Sequence, residues 1–256
     1  MLQALLAHPL TKGLHIDDPR TTQLRLQIIQ EKVFLRQVYQ EWYRMVAAAL
    51  PSSKGAVLEL GAGAGFLREF VPNLITSELF YCPHVQAVLD ALRLPFASRS
   101  LRGIVMTDVL HHIPEPRLFF AEATRCVQPG GVMAMIEPWV TPWSKIVYDR
   151  LHHEPFEPEA SSWELPSNGP LSGANGALPW IIFARDRLTF EQEFPYWQIE
   201  IINPIMPFRY LLSGGVSLRS LTPGWSFRFW KRIENALGRW NNQLAMFAQI
   251  IVRRLD

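Results

Sequence analysis

The sequence predicts an α/β protein built around a doubly wound sheet, and three observations lead to this prediction. Short apolar runs typical of buried strands alternate with stretches of helical spacing from residue 56 onward. A glycine-rich turn, ELGAGAG, follows the first of these runs, as in sheets that bind ligands at the ends of their strands. Apolar residues make up 48% of the 256 residues and charged residues 19%, a balance typical of a folded globular chain. We therefore expect one elaborated α/β domain.

The first fifty residues are expected to be helical. Asp18 followed by Pro19 resembles a helix N-cap with proline in the first helical position. Apolar and aromatic residues then recur at helical spacing, at Leu24, Ile28, Leu35, Tyr39, Trp42, Val46 and Leu50. One or two amphipathic helices should therefore precede the first strand. Within them, Tyr39, Trp42 and Tyr43 are expected mainly to pack against the sheet, with a partial role as a lid.

The segment GAVLELGAGAGFLREF predicts a strand, a turn and the start of a helix. Glycines at such a turn allow unusual backbone angles and let a ligand approach main-chain groups that a Cβ would block. Their spacing is G-x-G-x-G, whereas a dinucleotide-binding turn reads G-x-G-x-x-G and would need its third glycine at Phe66. The turn therefore favours a nucleotide-like ligand and disfavours NAD or FAD.

Two acidic residues follow at the ends of the next predicted strands, LITSEL and VQAVLD. Glu78 lies nineteen residues after Glu59 and is placed to accept the hydroxyl protons of a ribose. Asp90 ends the third strand, where it is a candidate to accept a hydrogen bond from an adenine amino group while Leu92 or Leu94 packs on the ring. Each carboxylate alone has an ordinary explanation as a turn residue or a helix cap. Their joint placement at successive strand ends is what indicates an adenosine site.

The fourth predicted strand, LRGIVMTDVL, ends in residues suited to acid-base chemistry. Asp108, His111 and His112 follow its apolar part, at the edge where open α/β sheets bind ligands. They are the first candidates for a general base, because a carboxylate or an imidazole can accept a proton near neutral pH. Local packing and hydrogen bonding is the alternative role of the two histidines. A helix over residues 116–127 and a fifth strand, GVMAMIEP, complete this part of the sheet.

The motifs ELGAGAG, DALRLPF, MTDVLHHI and VQPGG, together with Glu78, resemble in order and spacing the class I S-adenosylmethionine-dependent methyltransferases of the type-11 group. The resemblance covers roughly residues 55–137 and implies a Rossmann-like methyltransferase sheet, mostly parallel with an antiparallel last strand. It also implies S-adenosyl-L-methionine as cofactor, with the methionine portion at the glycine loop, the ribose at Glu78, the adenine at Asp90 and Ala91, and the transferable methyl beside Asp108. VQPGG is an architectural turn. The cofactor-binding residues expected on this basis are Glu59, Gly61, Ala62, Gly63, Gly65, Glu78, Asp90, Ala91 and Asp108.

After residue 138 the chain becomes an irregular, aromatic-rich insertion, and the resemblance to the quinone-biosynthetic members of the group fades. Eight of the nine tryptophans lie there, and SSWELPSNGPLSGANGALPW has the composition of loops. The insertion starts where the fifth strand ends, so its first part should overhang the same edge of the sheet. The candidate substrate-binding residues are Trp139, Trp143, Tyr148, His152, His153 and Glu154. Tryptophans suit an apolar acceptor and the histidines with the glutamate suit a base, while a satellite core under a long loop is the alternative.

No metal site is expected in this cluster, because His152 and His153 are adjacent, whereas two metal-binding histidines on one helix face are four residues apart. Cys82 and Cys126 also lack metal-ligand spacing. Two late apolar runs, residues 197–205 and 244–252, are predicted to be strands that complete the sheet. The chain thus divides into an N-terminal helical segment and partial lid (1–50), a cofactor-binding methyltransferase core (51–138), and substrate-side insertions with the last strands (139–256).

The expected reaction is methyl transfer by in-line displacement to a small or lipid-like acceptor, because the region after residue 138 is rich in Trp and Phe. The segment WSFRFWKR keeps RNA methylation as a second possibility, although nucleic acid is disfavoured, and a non-catalytic cofactor-binding scaffold is a third. From residue 207 onward eight basic residues face two acidic ones, so this region is a candidate for peripheral membrane contact, with a solvated face as the simpler alternative.

The chain also lacks the marks of a membrane-spanning or secreted protein. No stretch approaches the ~18 apolar residues that a transmembrane helix needs, and the N-terminus has no basic region before its short apolar run. A cytoplasmic location is expected on these grounds. Nothing in the sequence indicates the oligomeric state.

Overall fold

The computed structural model describes residues 8–10, 19–63, 65–151, 154–165 and 173–256, and within them seven strands form one sheet. The strands are β1 (Ala56–Leu60), β2 (Leu74–Glu78), β3 (Ala87–Val88), β4 (Leu101–Thr107), β5 (Val127–Pro138), β6 (Trp197–Ile205) and β7 (Phe247–Arg254). Their order across the sheet is β3-β2-β1-β4-β5-β7-β6.

Strands β1 to β5 pair parallel with one another, and β7 runs antiparallel to both β5 and β6. The predicted α/β class, with a mostly parallel sheet and an antiparallel last strand, is therefore confirmed. The chain leaves β1 towards β2 and β3, then returns to pair β4 on the other side of β1. Such a reversal opens a crevice at the carboxyl ends of the two central strands, which is where open α/β sheets bind ligands.

Helices pack around this sheet. Before β1 lie α1 (Pro19–Glu31) and α2 (Val33–Ala49), α3 (Pro116–Cys126) joins β4 to β5, and α4 (Pro142–Leu151) follows β5. Next come α5 (Leu178–Trp180), which continues into a π-helix (Ile181–Arg185), and α6 (Arg187–Glu193). Between β6 and β7 lie α7 (Arg209–Ser213), α8 (Phe227–Ala236) and α9 (Asn241–Leu244). Among these helices of the described residues, none has the length and apolar character required to cross a bilayer.

The central strands are buried on both faces. Residues 104–106 of β4 and residues 132–136 of β5 have no exposed surface. Neighbouring side chains on a strand point to opposite faces, so this unbroken burial means that both faces of these strands are covered. On α2, the ring of Trp42 packs 4.9 Å from that of Phe247, and the indole N–H of Trp197 on β6 donates to the hydroxyl of Thr124 on α3 at 2.7 Å. The crevice thus stands on a rigid, closely packed base.

Four local details differ from the sequence prediction. Strand β5 begins at Val127, so VQPGG, predicted as a turn before the fifth strand, is part of that strand. The turn after β1 leads into a short 3-10 helix (Leu67–Glu69) instead of an α-helix, because Pro72 prevents a helix from continuing and β2 begins two residues later. Strand β3 has only two residues, so Asp90 lies beyond its end. The apolar run 244–252 divides, because residue 244 ends α9 and β7 begins only at Phe247.

The two helices predicted before the first strand are present, and α1 begins at Pro19. The expected cap, Asp18, lies outside the described residues. The division of the chain into three functional regions stays a prediction.

Candidate active site

A cavity of about 200 Å³ opens at the carboxyl ends of β1, β2 and β4. Most of the residues predicted to bind the cofactor line it, namely Glu59, Gly61, Gly65, Glu78, Asp90, Ala91 and Asp108. Ala62 and Gly63 belong to the same loop but are buried behind its surface. Positions separated by up to 49 residues in the chain therefore meet around one space, at the reversal point of the sheet.

The loop after β1 requires glycine at two positions. Gly61 has a φ of +65°, and a Cβ built on it would lie 2.5 Å from Cγ2 of Val109. A Cβ on Gly65 would lie 2.5 Å from the hydroxyl oxygen of Tyr43. The N–H of Ala62 donates to the carbonyl of Ser77 on β2 at 2.9 Å, which fixes the loop to the sheet. The result is a stretch of bare main chain at the cavity wall.

Glu78 holds this loop against the end of β2. Its Oε1 accepts a hydrogen bond from the N–H of Gly63 at 2.8 Å, and its Oε2 accepts one from the N–H of Leu79 at 3.2 Å. Burial raises the pKa of Glu78, although the two N–H donors oppose the shift. The side chain lines the cavity, where its carboxylate can accept further hydrogen bonds from a ligand.

Glu59 is the second carboxylate at this end of the cavity and is almost completely buried. Burial and repulsion from Glu78 raise the pKa of Glu59 to about 8. At neutral pH most of this carboxyl group is therefore protonated. A cationic ligand group bound beside it would favour the ionised form, so Glu59 couples ligand charge to proton release.

Asp90 lies at the opposite, more open end of the cavity. Its side chain is exposed, and Oδ1 accepts a hydrogen bond from the N–H of Leu92 at 2.9 Å, which makes a local turn. Both Ala91 and Leu92 also line the cavity, and Leu89 is buried beside them. A flat ring placed here would contact aliphatic side chains while a polar edge faced Asp90.

Asp108 follows β4 in a left-handed backbone conformation, with a φ of +64°. This conformation is uncommon outside glycine, and here the N–H of Asp108 donates to the carbonyl of Ile136 on β5 at 2.8 Å. Burial raises the pKa of Asp108 to about 6, with the nearby carboxylates of Glu154 and Glu137 adding to the shift and His111 opposing it. Its carboxylate sits where the cavity meets the turn that carries the two histidines.

His111 is completely buried and belongs to a short 3-10 helix (Leu110–His112). Its Nδ1 lies 2.8 Å from Oε2 of Glu137, whose Oε1 accepts hydrogen bonds from the N–H groups of Val109 and Leu110. Burial alone would lower the pKa of His111, but the carboxylates of Glu137, Glu154 and Asp108 outweigh it and raise the pKa well above its usual value. Glu137 therefore fixes the whole turn after β4.

His112 and Glu154 bring this cluster to the cavity wall. The Nε2 of His112 lies 3.8 Å from Oε1 of Glu154, and the Nε2 of His111 lies 3.6 Å from Oε2 of Glu154. Within the described part of the chain, His111, His112 and Glu154 are the group whose donor atoms lie within 4.8 Å of one another, so these residues could hold a metal ion. The attraction between the buried imidazole of His111 and the nearby carboxylates explains why these side chains lie close together, and it does so without a metal ion.

A second, smaller cavity of about 10 Å³ lies beyond Asp108. Of the predicted substrate residues, Tyr148 and Glu154 line it, and the ring of Tyr148 stacks on that of Phe156 at 4.5 Å and 15°. Trp139 and Trp143 line neither cavity. The first is buried, and the indole N–H of the second donates to the carbonyl of Pro207 at 3.0 Å. His152 and His153 lie outside the described residues.

The lid residues and several others come from distant parts of the chain. Tyr39 and Tyr43 of α2 line the main cavity, and Trp42 is buried between the helix and β7. The sequence interpretation missed further lining residues, among them Arg25, Phe156, Tyr210, Val216, Ser217 and Phe247. Glu137 lies inside the predicted fifth strand, GVMAMIEP, and its hydrogen bonds to the turn after β4 were not predicted. The only local signal for Glu137 was an acidic residue inside an apolar strand.

Residues 58–135 match a family model described as a methyltransferase domain. The matched segment runs from β1 into β5 and contains the glycine loop, Glu59, Glu78, Asp90 and Asp108. Sequence comparison with curated proteins gives no match.

The fold is similar to those of solved methyltransferases. Geranyl diphosphate C-methyltransferase from Streptomyces coelicolor, solved with Mg²⁺, geranyl diphosphate and S-adenosyl-L-homocysteine, is 13% identical with a TM-score of 0.52, over 96% of this chain and 87% of that chain. A geranyl diphosphate methyltransferase in complex with S-adenosylmethionine is 12% identical with a TM-score of 0.50, over 95% and 93%. A chain of the Haloferax volcanii complex that contains the methyltransferase activator Trm112 is 12% identical with a TM-score of 0.54, over 94% and 98%. At these identities the similarity concerns the fold.

Proposed function

We propose that this chain is a class I S-adenosylmethionine-dependent methyltransferase, because residues 58–135 match a methyltransferase domain, and that it methylates a small apolar or lipid-like acceptor. One observation carries the proposal. The cavity that bears the bare glycine loop and the carboxylates shares Asp108, Glu154 and Tyr210 with a small neighbouring cavity, whose other walls include aromatic rings. Polar groups at one end and aromatic rings at the other suit a charged cofactor beside an apolar acceptor.

The residues of the main cavity fit the parts of S-adenosylmethionine. The glycine loop presents bare main chain to the methionine portion, since Val109 and Tyr43 leave no space for a Cβ at Gly61 or Gly65, and Glu59 can pair with the ammonium group of that portion. Glu78 can accept the ribose hydroxyl protons, and the segment at Asp90 and Ala91 can hold the adenine. When bound, the cofactor supplies a methyl group on a sulfonium, which a nucleophile displaces in line without need of an acid.

The acceptor would lie between Asp108 and the smaller cavity. Tyr148, Phe156, Tyr210 and Phe247 surround that space with rings, and Glu154 provides a carboxylate at its edge. Aromatic walls favour an apolar or flat acceptor and exclude water from the reacting atoms. The acceptor class itself follows from these side chains and not from the similar structures.

Asp108 and His112 are proposed as the catalytic residues, and His111, the third candidate from the sequence, as a positioning residue. With a pKa of about 6, Asp108 is mostly ionised at neutral pH and can accept a proton from an acceptor hydroxyl or amine. His112 lines the same cavity and can accept the proton instead when the acceptor lies nearer to its imidazole. His111 acts through its position, because its ring fixes the distance between Glu137 and the carboxylates of Asp108 and Glu154.

The function can be tested by following S-adenosylhomocysteine formation. Purified protein and S-adenosylmethionine would be incubated with the organic-solvent extract or the aqueous extract of cells. We expect product formation with the organic extract, insensitive to nuclease, and at least a tenfold loss in Asp108→Ala. A signal found only with the aqueous extract and abolished by nuclease would indicate an RNA substrate. Cofactor binding without turnover in any extract would indicate a non-catalytic scaffold.

The raised pKa of Glu59 gives a prediction about cofactor binding. Before a ligand binds, Glu59 is mostly protonated at pH 7, because its pKa is about 8. A bound ammonium group lowers that pKa, so binding of S-adenosylhomocysteine should release close to one proton at pH 7 and strengthen as the pH rises from about 6 towards 8. Calorimetry at pH 7 in two buffers of different ionisation enthalpy measures the released protons.

The Glu59→Gln variant is the matched control for this prediction. It keeps the size of the side chain and removes its titration, so binding should then release almost no protons. Equal proton release in the two proteins would contradict the placement of the ammonium group at Glu59.

A further inference from the structure

The segment between β6 and β7 exposes several large apolar side chains on one stretch of surface, residues 219–240, which we call the 219–240 surface. Trp225 is 84% exposed, Phe229 58%, Leu221 56% and Trp240 46%. Single exposed apolar residues are ordinary, but here four large ones lie within 20 residues of one excursion of the chain. Such a concentration of exposed apolar side chains is costly to keep in water and therefore indicates a binding surface.

The same surface carries positive charge without exposed negative charge. Arg219, Arg228, Arg232 and Arg239 are all exposed, and within the described parts of the chain no salt bridge joins them to an acidic side chain. The only acidic residue of the segment, Glu234, is buried and binds Arg209. The charge of the surface is therefore available to an anionic partner.

Helical spacing places the apolar and the basic side chains in neighbouring rows. Trp225 and Phe229 are four residues apart, as are Arg228 and Arg232, so each pair lies on one line along α8 and the turn before it. Rows of this kind, aromatic beside basic, are typical of helices that lie in the interface of a membrane, with rings between the acyl chains and cations at the headgroups.

The inner side of α8 is fixed to the body of the protein. Phe227 packs edge-on against Phe34 of α2 at 5.3 Å, and the guanidinium of Arg209 lies 4.8 Å from the Phe227 ring. Glu234 accepts hydrogen bonds from the N–H groups of Phe208 and Arg209, and Arg209 also pairs with Glu41 at 2.9 Å. The outward rings are thus presented by an anchored helix, which lowers the entropic cost of binding.

We propose that the 219–240 surface docks the protein on a membrane that contains anionic lipids. Exposed arginines attract the headgroups, and the rings of Trp225 and Phe229 enter the region of the upper acyl chains. A nucleic acid would satisfy the arginines but would leave Leu221 in water. The same β6–β7 excursion supplies Tyr210, Val216 and Ser217 to the wall of the main cavity. Docking would therefore hold the active site close to a lipid-like acceptor, a consequence that rests on the proposed function, whereas docking itself does not.

Sedimentation with vesicles tests the proposal. The probes are vesicles of phosphatidylcholine alone and vesicles in which about a third of the lipid is phosphatidylglycerol, which carries the negative surface potential. We expect binding to the anionic vesicles only, decreasing as salt is added. The Trp225→Ala/Phe229→Ala and Arg228→Gln/Arg232→Gln variants should each lose at least about tenfold in lipid affinity.

Leu188→Ala/Tyr196→Ala is the matched control, because Leu188 is 74% and Tyr196 is 52% exposed outside this surface. It should bind the vesicles like the unchanged protein, and all variants should bind S-adenosylhomocysteine equally. Vesicle binding unaffected by either surface variant would overturn the proposal, and so would an RNA oligonucleotide that displaces the protein from the anionic vesicles. A failure of the methylation assay with intact vesicle binding would count against the proposed acceptor alone.

Discussion

Replacing Glu137 with alanine is expected to lower the free energy of unfolding by about 3–5 kcal/mol, the range for breaking a buried ion pair by removing one partner. Glu137 has no exposed surface and accepts hydrogen bonds from the N–H groups of Val109 and Leu110 as well as pairing with His111. Without it, two buried donors and an imidazole lose their partner together. Denaturant unfolding followed by circular dichroism measures the change.

Glu200→Ala is the control for this variant. Glu200 also pairs with an arginine, Arg253, but both side chains are about one third exposed. An exposed pair contributes about 1 kcal/mol or less, so this variant should remain near the stability of the unchanged protein. A similar decrease in the free energy of unfolding in the two variants would mean that burial does not increase the contribution of the Glu137 pair to stability.

The pH dependence of unfolding distinguishes the pair from simple packing. The pKa of His111 is raised in the folded protein, so its protonation stabilises the fold fully below the unfolded value near 6.5. This contribution is lost as the pH rises through the folded pKa. The alkaline decrease in stability should therefore be smaller in Glu137→Ala, and an identical pH profile would contradict the assignment.

The second large effect is expected at Glu78, whose replacement by alanine should raise the dissociation constant of S-adenosylhomocysteine at least about tenfold. A hydrogen bond to a charged group contributes about 1.5–3 kcal/mol. The alanine variant would lose at least one such bond, the one proposed between Glu78 and the ribose. The variant also loses the acceptor for the N–H of Gly63, which orders the loop. Isothermal titration calorimetry gives the constant directly.

Two further variants separate contact from loop order. Glu78→Gln keeps an oxygen that can accept from Gly63 but has no charge, so its loss of affinity should be intermediate. Asp149→Asn, outside the cavity, should bind like the unchanged protein. An unaltered affinity in Glu78→Ala, with unfolding unchanged, would show that Glu78 does not hold the cofactor.

Much of the fold could be predicted because its signals are local. Each strand from β1 to β5 contains a short apolar run, and the glycine loop follows the first strand without interruption. The structure differs from the prediction where another constraint outweighed the local pattern. After the glycine loop, for example, Pro72 leaves no room for an α-helix before β2. The predicted cofactor residues likewise share one rule, since carboxyl ends of parallel strands meet at one edge.

The acceptor side could be predicted only in part. The sequence interpretation included Trp139, Trp143, Tyr148 and Glu154 as one aromatic cluster, but only the last two line the cavities. The number of aromatic residues in a segment does not indicate which of their rings point towards the cavity. Trp139 is buried and Trp143 is held by the carbonyl of Pro207, so both support the insertion instead.

By itself the sequence determined where the strands lie along the chain, the bare turn after the first one and the acidic residues at successive strand ends. These features can be predicted because they depend only on the spacing of residue types along the chain and on residues that are neighbours in sequence. Only the tertiary structure decided that Glu137 meets His111 and that Tyr210 and Phe156 close the cavity. Pairing of β5 with β4, where Thr107 lies opposite Ile136, sets the first contact, and the path of the chain after β5 sets the others. Residues far apart in sequence are brought together by strand register and burial, which no local pattern encodes.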